Sequence, residues 1–189
     1  MHSLHCFMGF ALVSSLLLGC TPSVEIDAPD IEVTQPNLQF PALPAGVPEG
    51  TPLPPVVFAI STAKLGATNN SDAGTLKKIQ RLQITRVVFK ADPGIDNFTF
   101  LTHLTVRAAT TWSGAQLSSD PDTLTIVDYQ APADGAIGTE LQMPVSPPVN
   151  LLPLWAHTWL YLAITVSGDL PRVPWSVDVV FSLSLKLTE

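Results

Sequence analysis

The sequence is poor in cysteine and in charged side chains. Its 189 residues include two cysteines, and 13% are charged, about half the share of a typical soluble domain. Nine bases stand against 16 acids, for a net charge of -7, and the bases form no stripe. Proteins that bind nucleic acid, or dock electrostatically on anionic lipid, carry such stripes. We therefore expect no nucleic-acid partner.

Catalytic motifs are also missing from the sequence. It contains no G-x-S-x-G elbow, no H-E-x-x-H pair, no P-loop and no dinucleotide-binding glycine pattern. We therefore predict a protein that is not an enzyme and that holds no cofactor. A hydrolase is the alternative left open, and it would need His103 or His157 beside a serine and an acid.

The first twenty residues contain an apolar run that leads to a cysteine. Phe7 to Leu18 (FMGFALVSSLLL) has the length of a signal-peptide core and is short for a membrane span. It ends in Leu17-Leu18-Gly19-Cys20, which resembles the lipobox of bacterial lipoproteins. The resemblance implies cleavage after Gly19, lipid on Cys20 and a removed signal peptide over residues 1–19. Thr21, rather than an aspartate, after the cysteine implies the outer membrane, with the side of that membrane left open.

The cysteine count agrees with this interpretation. Cys6 would leave with the signal peptide and Cys20 would carry lipid. The mature domain would then hold no thiol for a disulfide, a metal or a nucleophile.

Proline is concentrated directly after the cysteine. Half of the 18 prolines fall between Pro22 and Pro55, and they culminate in the run PALPAGVPEGTPLPP. Such a run favours polyproline II or loop. We predict a tether over residues 20–55, which at about 3.1 Å per residue could reach on the order of 100 Å. The alternative is that part of this segment packs on the domain, with an edge strand within residues 24–40.

The remaining residues, 56–189, show an apolar period of two. In the last segment a long alternating set predicts a strand with one buried face: Trp175, Val177, Val179, Phe181, Leu183, Leu185 and Leu187. A phase change near Thr85-Arg86 predicts a bulge, and Pro144–Pro148 predicts a loop. We predict an all-β fold, a single antiparallel β-sandwich that is immunoglobulin-like in the broad sense. An up-and-down barrel is the alternative.

The segment 154–166 is apolar on both faces and predicts a central strand. The period-two rule places Trp155, His157, Trp159 and Tyr161 on one of its faces. Rings in a row could stack on sugar or accept an acyl chain. The alternative is that this face packs on the other sheet.

Two pairs of acids fall in predicted turns, Asp92 with Asp96 and Asp120 with Asp122. Asp-rich loops can hold Ca²⁺, but two carboxylates per loop fall short of its six to eight oxygens. We interpret them as turn formers and predict no metal.

The function predicted from the sequence is a membrane-anchored envelope module for interaction or structure, with a protein or glycan partner. Glycan or lipid binding through the aromatic face is the alternative.

Overall fold

The protein is described by a computed structural model that covers residues 25–27, 30–62, 79–112, 123–132 and 138–188. Within these residues the chain forms nine strands and one 3₁₀ turn. In chain order they are β1 Glu25–Asp27, β2 Ile31–Phe40, β3 Val56–Ser61, β4 Ile79–Ala91, β5 Leu101–Ala109, β6 Leu124–Gln130, β7 Glu140–Asn150, the 3₁₀ turn Leu152–Leu154, β8 Trp159–Gly168 and β9 Trp175–Thr188.

The strands form two antiparallel sheets. One has five strands, with β1 and β2 both paired to β9, followed by β4 and β7; the other has the order β3-β8-β5-β6. The pairs β2–β9, β3–β8, β4–β7 and β5–β6 are nested in the sequence. Nested pairs make one long ribbon that rolls into two sheets, which is the jelly-roll form of the β-sandwich. The predicted all-β sandwich is confirmed, and its strand order is that of a jelly roll.

The core lies between the two sheets and follows the predicted alternation. Along β9, residues of one parity are buried and contribute to a single core cluster: Trp175, Val177, Val179, Phe181, Leu183 and Leu185. Val180 points to the opposite face, where it is 8% exposed between its register partners Thr34 of β2 and Val88 of β4. The bulge is also confirmed, because the pairing of β4 with both neighbours shifts between Ile84 and Arg86.

Residues 31–55 belong to the folded domain, and the boundary predicted at residue 56 is too late. Ten residues of β2 form a strand against β9. Phe40, Leu43 and Leu53 are buried in the main core, and the Leu43 N–H donates to the carbonyl of Pro171 at 3.0 Å. The prolines restrict the backbone without preventing this packing, because β2 is an edge strand and the rest is a surface loop.

The predicted loop Pro144–Pro148 is also corrected, since it lies inside β7. Among the described strands, β7 pairs with β4 alone and forms the edge of its sheet. Proline is tolerated on an edge strand, because the position of its missing N–H can face solvent and no ladder hydrogen bond is lost. A proline there also hinders the edge from pairing with another chain.

Candidate functional site

The four predicted site residues do not share one strand face. Trp159 and Tyr161 lie on β8, whereas Trp155 and His157 precede it. Pro153 lies in the 3₁₀ turn, and the N–H groups of Trp155 and His157 donate to the carbonyls of Leu152 and Leu154 at 3.1 and 3.3 Å. Proline favours the start of such a turn and cannot donate a hydrogen bond to a ladder, so the period-two rule fails here.

On β8 the two aromatic residues point away from the core. Their neighbours Leu160 and Leu162 are buried between the sheets, so Trp159 and Tyr161 occupy the outer face. The Trp159 side chain is 47% exposed, and Tyr161 is half-buried. Trp159 therefore offers an accessible ring, which is the property that the predicted binding face required.

The residues beside these rings are small. Trp159 is in register with Ser61 of β3, and Tyr161 is in register with Ala59 of β3 and Ala109 of β5. Because the side chains in register are small, they do not cover the aromatic rings, which project from the surface of the sheet.

A third tryptophan, which the sequence did not point to, lies on the same outer face. Trp112 follows β5 and packs, half-buried, on a small cluster formed by Ala109, Ala163 and Val57. Its position depends on the register of β5 with β8, in which Arg107 faces Ala163. Sequence periodicity contains no information on such register, so no local signal could have found it.

These aromatic residues lie at one end of the sandwich, where β8 begins. Trp155 is half-buried and packs against the main core there. The Thr62 hydroxyl donates to the carbonyls of His157 and Thr158 at 3.0 and 3.2 Å, which ties the segment before β8 to the end of β3. We call this end, with Trp112, Trp155 and Trp159, the tryptophan end.

The hydrolase alternative rests on His103 and His157. Nε2 of His103 lies 2.6 Å from Oδ1 of Asp128 on the neighbouring strand β6, and both side chains are substantially exposed. Ser167 faces His103 in register but is buried. Within the described ranges, neither histidine ring is hydrogen-bonded to a serine hydroxyl. The arrangement is that of a cross-strand hydrogen bond between two exposed side chains.

The acid pairs do not form a cation site in the described part of the chain. Asp92 begins a turn in which the Ile95 N–H donates to its carbonyl at 3.2 Å, and Asp96 is exposed in the same loop. Asp120 and Asp122 lie outside the described residues. No group of three or more His, Cys, Asp or Glu side chains that could hold a metal occurs among the residues described.

An open cleft of about 460 Å³ separates the two edge strands β6 and β7. Its lining includes Ile126, Tyr129, Met143 and Pro147. Burial raises the pKa of the Tyr129 phenol above its ordinary value of 10.0, because the phenolate would lose hydration. The cleft is mainly apolar and carries no cluster of reactive groups among its lining residues.

Comparison with known proteins gives little further information. No family model matches the chain, and no curated protein matches it. A solved structure of Desmodium yellow mottle tymovirus is similar over 87% of this chain and 90% of that one, at 11% identity and a TM-score of 0.28. A likeness this weak carries no argument about function. In the described ranges, no helix is long and apolar enough to cross a membrane.

Proposed function

We propose that this protein is a lipid-anchored protein of the bacterial envelope whose β-sandwich is a non-enzymatic module for interaction or structure. The anchor is lipid on Cys20, after cleavage behind Gly19, and the membrane is the outer membrane. Both residues lie outside the described ranges, so the support for the anchor is the lipobox resemblance of Leu17-Leu18-Gly19-Cys20.

The observation that carries the proposal further is where the folded domain begins. β1 starts at Glu25, five positions after Cys20. At about 3.6 Å per residue, five residues span at most about 18 Å. The predicted tether could reach on the order of 100 Å, whereas the link between Cys20 and the domain is much shorter. An anchored domain would therefore be held against the membrane surface.

A second candidate is a glycan- or lipid-binding module that uses the exposed Trp159 ring with Tyr161. The observation in its favour is a tryptophan that is 47% exposed, because an indole ring combines a large apolar face with a polar N–H and is enriched at interfaces. Trp155 and His157 would act beside this face rather than within it. The partner is a protein or a glycan of the envelope, and the function requires no cofactor.

The anchor is tested by Cys20→Ser in the full chain, expressed in a bacterium fed radiolabelled palmitate. We expect the wild-type protein to be labelled, and the variant to lose the label. The matched control is Cys6→Ser, because Cys6 lies in the signal peptide that the mature protein has lost. Equal labelling of wild type and Cys20→Ser would contradict the proposal.

A further inference from the structure

The tryptophan end is the same end of the sandwich at which the chain enters. Leu187, at the end of β9, is in register with Ile26 of β1 and Ile79 at the start of β4. β7 also ends here, since the Leu151 N–H donates to the carbonyl of Leu82 at 2.7 Å. The segment that follows crosses to β8, which begins at Trp159.

At this end, the strand ends of the two sheets lie opposite one another across the core. A small apolar void between them is lined by Ile60 and Leu160 of one sheet and Leu183 of the other. Trp159 is in register with Ser61, the last residue of β3, and Trp112 follows the last residues of β5. Three of the four tryptophans therefore lie near the entry point of the chain.

The described segments that carry the three tryptophans contain no charged side chain. No Asp, Glu, Lys or Arg occurs between Leu151 and Ser167, or between Ala108 and Trp112. By sequence, the neighbouring edge contributes three acids, two in β1 and Asp30 before β2, and two bases, Arg81 and Lys186. A segment without charged side chains enters the headgroup region without the cost of desolvating an ion.

We infer that the tryptophan end contacts the lipid headgroup region of the membrane that holds Cys20, with the Trp159 ring inserted. The inference rests on the proposed anchor. The link of at most about 18 Å starts at this end, and the two sheets are about 10 Å apart. Lipid is therefore within reach of Trp159 without any unfolding.

Tryptophan suits this position because its ring is apolar and its indole N–H remains hydrated, which is why it concentrates at membrane interfaces. The fourth tryptophan provides the contrast. Trp175, at the opposite end, is 5% exposed and stacks on Phe40 with 4.3 Å between ring centroids. It is a core residue, whereas Trp159 is exposed at the end where the anchor enters.

The experiment uses the full lipidated protein reconstituted in vesicles of phosphatidylcholine, either plain or brominated on the acyl chains. Bromine quenches a tryptophan that enters the lipid. The matched variant is Trp159→Phe combined with Val173→Trp, which keeps four tryptophans. Val173 is 65% exposed in the loop after β8, and ten residues of β8 at about 3.3 Å each place it about 30 Å from Trp159.

We expect brominated vesicles to lower the emission of the wild-type protein, and the matched variant to lose most of that quenching. Flotation of the vesicles is measured in the same samples and tests the anchor separately. Protein that floats but shows equal emission in both vesicles would overturn the inference, and would leave the surface to a glycan or protein partner. Protein that does not float would overturn the anchor and the inference with it.

Discussion

Replacing Phe40 by alanine tests whether the proline-rich segment is part of the fold. The Phe40 side chain is 1% exposed and its ring lies nearly parallel to that of Trp175, with an interplanar angle of 12°. Removing a buried phenylalanine costs about 3–5 kcal/mol, a large share of the 5–15 kcal/mol by which domains are stable. A residue in a free tether would contribute almost nothing.

The assay is urea unfolding followed by far-UV circular dichroism, which does not depend on the fluorescence of Trp175. With a slope of about 2 kcal/mol per M, a loss of about 4 kcal/mol lowers the midpoint by about 2 M. The control is Gln39→Ala, since Gln39 is the exposed neighbour on β2 and should change stability by less than about 0.5 kcal/mol. A loss below about 1 kcal/mol for Phe40→Ala would refute the assignment of this segment to the core.

Four further results are expected. Gly168→Ala should prevent folding at ordinary temperature, because φ is +147° and a Cβ would collide with the Phe100 carbonyl; soluble yield measures this. Asp128→Asn should cost less than about 1 kcal/mol by thermal unfolding, because the contact between Asp128 and His103 is exposed. Stability should fall as pH rises above 10, since the folded domain favours the neutral Tyr129 phenol, and Tyr129→Phe should remove that part of the decline. Limited proteolysis should spare residues 31–55, because they are packed on the domain; mass spectrometry of the fragments would show a cut there if the packing were wrong.

The sequence predicted those parts of the fold that depend on local periodicity. The alternation along β9 identified a strand with one buried face, and the phase change at Thr85-Arg86 identified the bulge. An edge strand within residues 24–40 was left open as an alternative, and in the structure the pairing of β2 shifts between Gln35 and Leu38, on either side of Pro36. β7 was missed because it contains prolines, which a strand accepts at the edge of a sheet. Whether a strand lies at an edge depends on the assembled sheet and cannot be seen in the local sequence.

The placement of the aromatic side chains was predicted in part for the same physical reason. Trp159 and Tyr161 lie on one face of β8, as the period of two requires, whereas Pro153 removes Trp155 from that period. Trp112 joins the tryptophan end through pairing between strands distant in sequence. Nested pairing also places the entry of the chain at that end, and no window of the sequence could have shown this.

The measurement that tests the central claim most directly is mass spectrometry of the amino-terminal peptide of the protein purified from membranes. The account predicts that the mature chain begins at Cys20 and that this residue carries the added mass of a diacylglyceryl group and an amide-linked acyl chain. A chain that begins at Met1, or a Cys20 without lipid, would contradict it.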